Sequence, residues 1–376
     1  MNDSVQPITI LTSGVGLGIY IPALLISQQL NELGVRADVE VVEEYYSVER
    51  QATWLAHKEA FQSNFALAVL ANRMARPARQ FIDSNKICDL FERWAAENRR
   101  AFVVWSGYWL PILEQYRTMS GNRTLDVDLC RIDAEISASF RAHPDIDVGG
   151  KDIWLWNWQQ RKILREVPIT CARSIPVPFG ERERRLIVHG GGWGLGTYRS
   201  VVPELAPTDY ALDVVINNTS GLGERRSGDR RLIIDPDWQP WHRGADGRHS
   251  FPAVGILGDG QGIEYQANAD FHEMYNVVRH CRAIISKPGG GTLIDSLNSA
   301  TPVVFLDAFG DAEQKNAAIW EYLGYGISYE AWRDSGYSES LLEELNSNII
   351  NRDTSPSYPQ ELAERLAQQG NIDEAI

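Results

Sequence analysis

The strongest constraint on the fold is a unit that occurs twice: a short β-rich run, a glycine-rich turn, then a helix-forming run. It opens the chain as PITILTS over 7–13, the turn Ser13-Gly-Val-Gly-Leu-Gly18, and apolar residues at 21, 24, 25, 30 and 33 ending at Gly34. It restarts with a strand at 185–188, the loop HGGGWGLG over 189–196, and a helix over 198–205 that Pro203 must kink or end. Such a turn lets backbone N–H groups converge on an anion at the positive end of the helix. The first turn matches a dinucleotide fingerprint only in part, with G-x-G-x-G at 14–18, and no G-x-x-x-x-G-K-[ST] motif occurs.

Between and beyond these units, strands and helices alternate. Strand-like runs fall at 35–42, 101–105, 125–130, 211–217, 231–235, 252–257, 282–286 and 302–306. Residues 48–100 read as mostly helical with a break at Pro77, and further helices are expected near 271–280, 291–299 and 312–323. This alternation predicts an α/β protein with parallel, doubly wound sheets. The 376 residues suffice for two such domains. The prolines and charges of SIPVPFGERER mark the boundary, giving a first domain over 1–175, a linker over 176–184, a second domain over 185–345 and a helical tail over 346–376 packing back on the first.

Composition narrows the partners. A net charge of −14 argues against nucleic acid and against a hold on anionic lipid, so neither is expected. Cys88, Cys130, Cys171 and Cys281 show no metal or disulfide spacing, no H-x₃-H pair occurs, and no metal site is expected. MNDSVQPITI lacks the features of a signal peptide and the apolar runs are too short to span a bilayer, so a soluble, cytoplasmic protein is expected.

The densest chemistry lies at 284–325. There Gly289-Gly290-Gly291-Thr292 opens a helix after a strand, with Asp295 one turn in. The next strand ends at Asp307, and a loop delivers Asp311, Glu313 and Gln314 ahead of Asn316. The first helix start suits a diphosphate, with Thr292 adding a hydroxyl; Asp295 can accept from ribose hydroxyls, and Glu313 and Gln314 from a sugar.

This stretch, Ser286-Lys287-Pro288-Gly289-Gly290-Gly291-Thr292-Leu293 through Asp311-Ala312-Glu313-Gln314-Lys315-Asn316-Ala317, resembles the donor-site signature of GT-B glycosyltransferases. The branch it resembles includes the cell-wall GlcNAc transferase and the monogalactosyldiacylglycerol synthases. The loop at 189–196 is similar to the one opening the family's second domain, and Phe271-His272-Glu273-Met274 to its F-x-x-M element near the nucleotide base. The resemblance is strong over 185–325 and architectural over 1–175.

It implies two Rossmann-like domains facing across a cleft. An NDP-sugar, UDP-linked, would serve as co-substrate with no separate cofactor, and a small-molecule or carrier-tethered acceptor would enter from the first domain. Gly290, Gly291, Thr292, Gly191, Gly192 and Gly194 would lie at the diphosphate, with Gly16 and Gly18 in the facing loop. Phe271 and Met274 would lie at the base, Asp295 at the ribose, Glu313 and Gln314 at the sugar. No E-x₇-E pair spans the loop before Glu313, since Phe305 stands eight residues earlier, so inversion without a metal is expected. The divergent first domain points to antibiotic-type specialised biosynthesis.

Relatives often carry a histidine base three residues before the proline of the first loop, where this chain has Ile19 before Pro22. The base is therefore sought at the carboxyl ends of first-domain strands or in the second loop: Glu43, Glu44, Asp133 or His189, with His57 nearby. Rival readings are an NDP-sugar hydrolase or epimerase, or a non-catalytic NDP-sugar-binding partner of another transferase. Trp154, Trp156 and Trp158 alternate as an aromatic strand face, fit for packing between domains or for stacking an acceptor. The loop at 105–109 is placed to line the acceptor cleft, and Arg225–Arg231 reads as a solvated loop or a phosphate contact.

Overall fold

The computed structural model describes residues 6–73, 82–170, 175–218, 226–257 and 263–373. Pro77, Cys171 and Arg225 lie outside the described residues.

The first sheet is built from β1 (Ile8–Thr12), β2 (Ala37–Val41), β3 (Ala101–Val104), β4 (Asp126–Arg131) and β5 (Lys151–Trp154), in the order β2-β1-β3-β4-β5. All four pairings are parallel. The sequence explains this: β1 and β3 are buried at every position, as strands covered by helices on both faces must be. Helix α1 (Leu17–Glu32) covers the sheet, and α2 (Val48–Ser63), α3 (Phe65–Arg73), α4 (Ser84–Ala96), α5 (Leu110–Met119) and the short α6 (Ala138–Arg141) complete this half. Helix α1 begins at Leu17, earlier than the apolar spacing from Ile21 suggests, and runs through Pro22. Proline there forgoes only the hydrogen bond to the Gly18 carbonyl, in the second turn of the helix.

A hairpin of β6 (Trp156–Asn157) and β7 (Lys162–Ile163) leads toward the second half. Its sheet contains β8 (Arg185–Val188), β9 (Ala211–Val215), β10 (Arg230–Ile234), β11 (Val254–Leu257), β12 (Tyr265–Gln266), β13 (Ala283–Ser286), β14 (Val303–Phe305) and β15 (Gly326–Ser328). The order is β12-β11-β10-β9-β8-β13-β14-β15. It is parallel from β10 to β15, and β11 and β12 add an antiparallel edge. Around it lie α7 (Tyr198–Leu205), α8 (Glu273–Val278), α9 (Gly290–Ser299), α10 (Asp311–Leu323), α11 (Tyr329–Asp334) and α12 (Glu339–Ile350).

Several contacts tie the halves together. One apolar core contains both Ile8 and Ile10 of β1 and Ile187 and Ile284 of the second sheet. The segment after 175 is held to the second sheet by Arg182, whose guanidinium donates to the carbonyls of Val177, Cys281 and Ser299 and to Thr301 Oγ1. The last helix, α13 (Tyr358–Asp373), returns to the first sheet, where Tyr358 Oη and Arg365 both donate to buried Asp128. Trp156 packs edge-on against Trp320 of α10 with centroids 5.2 Å apart, so Trp156 serves packing between halves, and none of the three tryptophans lines the cleft. Among the described residues no helix is long and apolar enough to cross a membrane, and no group of three His, Cys, Asp or Glu is placed to hold a metal ion.

Candidate functional site at the meeting of two switch points

In an open parallel sheet, ligands collect at the carboxyl ends of the strands where the winding reverses. The first sheet reverses between β1 and β3, and the second between β8 and β13. The loops that follow these four strands face one another and line a single cleft of about 650 Å³. From the first half come Gly16, Gly18, Ser106, Tyr108 and Asp133; from the second, His189, Gly191, Gly192, Lys287 and Gly290–Thr292.

Glycine is required where the halves touch. A Cβ on Gly192 would stand 2.3 Å from Leu17 Cβ, and one on Gly290 would stand 2.6 Å from the Ile132 carbonyl. That second approach brings Asp133, just after β4, onto the start of α9. Gly289 supplies no side-chain cap there, so the first N–H groups of α9 have no partner within their own helix. Gly290 N–H faces the Asp133 carboxyl, which also accepts from Asn316 Nδ2 at 2.8 Å. Burial and the neighbouring Glu313 charge push Asp133 up to about 6, against the lowering effect of Asn316, Lys287 and Gly290.

Asn316, to which the sequence alone assigns no role, is fully buried and uses its whole amide. It donates to Asp133 and to the Pro288 carbonyl at 2.9 Å, and accepts from Ala134 N at 2.9 Å and Trp156 Nε1 at 3.1 Å. Four hydrogen bonds to four groups, three of them on the other half, fix where Asp133 sits.

Around this point the second half sets further groups. His272 Nε2 lies 3.0 Å from Asp295 Oδ1, which orients that carboxylate, and both residues line the cleft. Met274 lines the cleft beside them. Glu313, at the start of α10, is ion-paired with Lys287 and accepts from Phe309 N at 2.7 Å. His189 Nδ1 accepts from Gly191 N at 2.9 Å, which leaves the ring proton on Nε2, and burial holds its pKa down to about 4.

Five expected site residues do not line the cleft. Glu43 follows β2 but turns under the first loop, where its carboxyl accepts from Ser13 Oγ at 2.5 Å and Gly14 N at 2.7 Å; it is fully buried and does not reach the cleft. Glu44 is clamped by Arg243 from the second half, with Nε and Nη2 at 2.9 and 2.8 Å. Burial alone would raise it, but His249 and Arg243 outweigh that and hold it at about 2, too acidic for a base. Gln314 is exposed on the outer side of α10, one residue and about 100° of helix beyond Glu313. Gly194 lines a small neighbouring cavity of about 100 Å³ beside Asn217. Phe271 packs edge-on against Tyr275 with centroids 5.5 Å apart, behind the cleft wall.

The remaining expected site residues converge on the cleft: Gly16, Gly18, Asp133, His189, Gly191, Gly192, Met274, Gly290, Gly291, Thr292, Asp295 and Glu313. Ser106 and Tyr108 of the 105–109 loop line it too, while Trp105 and Trp109 are core. Arg226 and Arg230 are not phosphate contacts: Arg226 binds the carbonyls of Ala206, Thr208 and Tyr210, and Arg230 pairs with Asp213.

No protein-family model matches the chain, and no curated protein matches it by sequence. Solved structures do. SnogD, a glycosyltransferase from Streptomyces nogalater, is similar with a TM-score of 0.51 at 14% identity, over 97% of this chain and 99% of that one. MurG from Acinetobacter baumannii has a TM-score of 0.51 at 11% identity, over 96% and 99%. The spinosyn rhamnosyltransferase SpnG complexed with thymidine diphosphate has a TM-score of 0.51 at 12% identity, over 96% and 100%. The architecture in common is GT-B: two Rossmann-like halves facing across a cleft.

Proposed function

We propose that this GT-B protein is an inverting, metal-independent glycosyltransferase that moves a sugar from a nucleoside-diphosphate sugar to a hydroxyl group of a small apolar acceptor. The observation that carries the reading is the meeting of Asp133 with the start of α9 across the cleft, which sets a base on one side and an anion-binding helix end on the other.

In this reading the diphosphate takes the N–H groups of Gly291 and Thr292 with the Thr292 hydroxyl, and Gly191 and Gly192 close over it. Asp295, fixed by His272, takes the ribose, and Glu313 takes sugar hydroxyls. The acceptor lies against Ile19, Ile21, Pro22, Trp54, Phe61 and Phe309, an apolar wall that suits a ring system rather than a peptide or a polar sugar chain. Ser106, whose buried hydroxyl has no partner among the described residues, offers that acceptor one polar anchor. Asp133 accepts the hydroxyl proton as the acceptor oxygen attacks the anomeric carbon and the diphosphate leaves from the opposite face. A carboxyl titrating at about 6 is mostly ionised at neutral pH yet basic enough to help; His189, at about 4, is a weaker base and a better donor to the diphosphate.

SpnG, solved with thymidine diphosphate and with spinosyn aglycone, supports testing thymidine as well as uridine donors and polycyclic aglycones as acceptors. The test incubates the protein with UDP- and dTDP-hexoses, such aglycones and a metal chelator, and follows product and its anomeric configuration. Acceptor-dependent product of inverted configuration is expected. Nucleotide release at the same rate without acceptor would replace the transferase reading with hydrolysis.

A further inference from the structure

The cleft also contains Lys287. Among the described residues that the second half contributes to the cleft, it is the one lysine or arginine. Its ammonium is ion-paired with Glu313 and lies 5.6 Å from the centroid of the Phe309 ring. It also sits between two glycine loops: a Cβ built on Gly289 would stand 3.2 Å from Nζ, and one built on Gly191 would stand 3.6 Å from it. Those loops are the ones whose N–H groups face the proposed diphosphate site. A compact cation is thus held beside a helix start that carries only a partial charge of about half an elementary unit.

Two demands meet at Glu313. Its carboxylate neutralises Lys287, and it is also the acid placed to hold sugar hydroxyls. Hydroxyl donors from a bound sugar and the lysine ammonium compete for the same oxygens. Occupation of the sugar site therefore loosens the ion pair while bringing a diphosphate next to the ammonium.

We propose that Lys287 is the catalytic cation for the leaving nucleoside diphosphate, and that Glu313 holds it in reserve until a donor sugar arrives. This rests on the donor-site reading above. In the transfer step the bond from acceptor oxygen to anomeric carbon forms as the bond from anomeric carbon to β-phosphate oxygen breaks. The electron pair of the broken bond stays on the diphosphate, whose negative charge grows by one, and the acceptor proton passes to Asp133. Lys287 transfers no proton; it acts by charge, in a cleft where a fixed cation counts for more than in water.

The assignment makes a prediction of opposite signs. Calorimetry would compare UDP with UMP, dTDP with dTMP, and UDP-glucose with dTDP-glucose, on the wild type, Lys287→Met, Lys287→Arg and Glu313→Gln. Lys287→Met should weaken the diphosphates by about 10- to 100-fold, the scale of one charge-assisted hydrogen bond, while the monophosphates change little. Lys287→Arg should restore most of the preference for diphosphate. Glu313→Gln, by freeing the lysine, should bind the diphosphates several-fold more tightly and the sugar nucleotides less tightly. Monophosphate affinity reports folding in each variant. If Lys287→Met keeps its preference for diphosphate, or Glu313→Gln loses affinity for diphosphate and sugar nucleotide alike, the inference is overturned while the donor site stands. A wild type that binds none of these nucleotides overturns both.

Discussion

The loop after β1 and the loop after β13 have the same local design, a strand followed by glycines and a helix, yet they treat negative charge in opposite ways. At Ser13–Gly18 the anion place is filled from within: the Glu43 carboxyl takes the Ser13 hydroxyl and the Gly14 N–H, under the loop and away from the cleft. At Gly289–Thr292 no side chain of the same helix caps the start, Asp133 reaches it from the other half, and Lys287 stands beside it. The first loop is closed on the Glu43 carboxyl and serves as a rigid wall; at the second, Asp133 takes the Gly290 N–H, and a diphosphate would take those of Gly291 and Thr292. A glycine loop before a helix is therefore a capacity for anion binding, and how many of its N–H groups a buried carboxylate already takes decides how much of it a ligand can use.

Substitutions can break or sharpen this contrast. The largest effect is expected at Asp133: Asp133→Asn should lower kcat by about 100- to 10,000-fold, the usual range for a positioned base, with donor affinity measured by calorimetry little changed. In the wild type, kcat/KM should fall as pH drops below about 6, because the raised carboxyl takes up a proton there and can no longer accept one. Next comes Asn316→Leu, which removes four buried hydrogen bonds, three of them between the halves, and should cost roughly 2–4 kcal/mol in urea unfolding. Since Asn316 lowers the Asp133 pKa, its loss should also move the acid limb of the rate profile above 6.

Smaller changes probe the closed loop. Glu43→Ala leaves the Ser13 hydroxyl and Gly14 N–H without their buried partner and should cost about 1–3 kcal/mol, whereas Glu43→Gln keeps an acceptor for Gly14 and should cost less. Neither should alter donor affinity more than a few-fold, which calorimetry would check. The smallest effect is expected at the clamp between halves. Glu44 is held below its ordinary value, so its contribution is present above about 4.5 and is lost as pH falls toward 2. Glu44→Gln should remove roughly 1–2 kcal/mol at neutral pH and flatten the dependence of thermal stability between pH 5 and 2.

What the sequence made legible follows the same division. The helix start at Gly290, Asp295 one turn in and Glu313 at the next helix all lie in contiguous strand-loop-helix segments, where spacing alone places a residue. Contacts between halves leave no such trace: Asn316 meets Trp156 and Asp133 across 160 and 183 residues of chain. For Glu43 the rule about strand ends found the right neighbourhood, but the 3-10 turn over Val42–Tyr45 directs that side chain inward beneath the loop. Gln314 failed for a rotational reason, since the helix turns it about 100° from buried Glu313 onto the exposed side of α10. The antiparallel edge of β11 and β12 was hidden because a short apolar run carries no signal of direction.

The most direct test of the contrast between the loops is a crystal structure of the protein soaked with UDP or dTDP. A diphosphate is expected within hydrogen-bond distance of the Gly291 and Thr292 N–H groups, with Lys287 Nζ turned from Glu313 toward the β-phosphate and Glu43 still under Gly14. A diphosphate seated on the Ser13–Gly18 loop with Glu43 displaced, or a nucleotide bound outside the cleft, would contradict it.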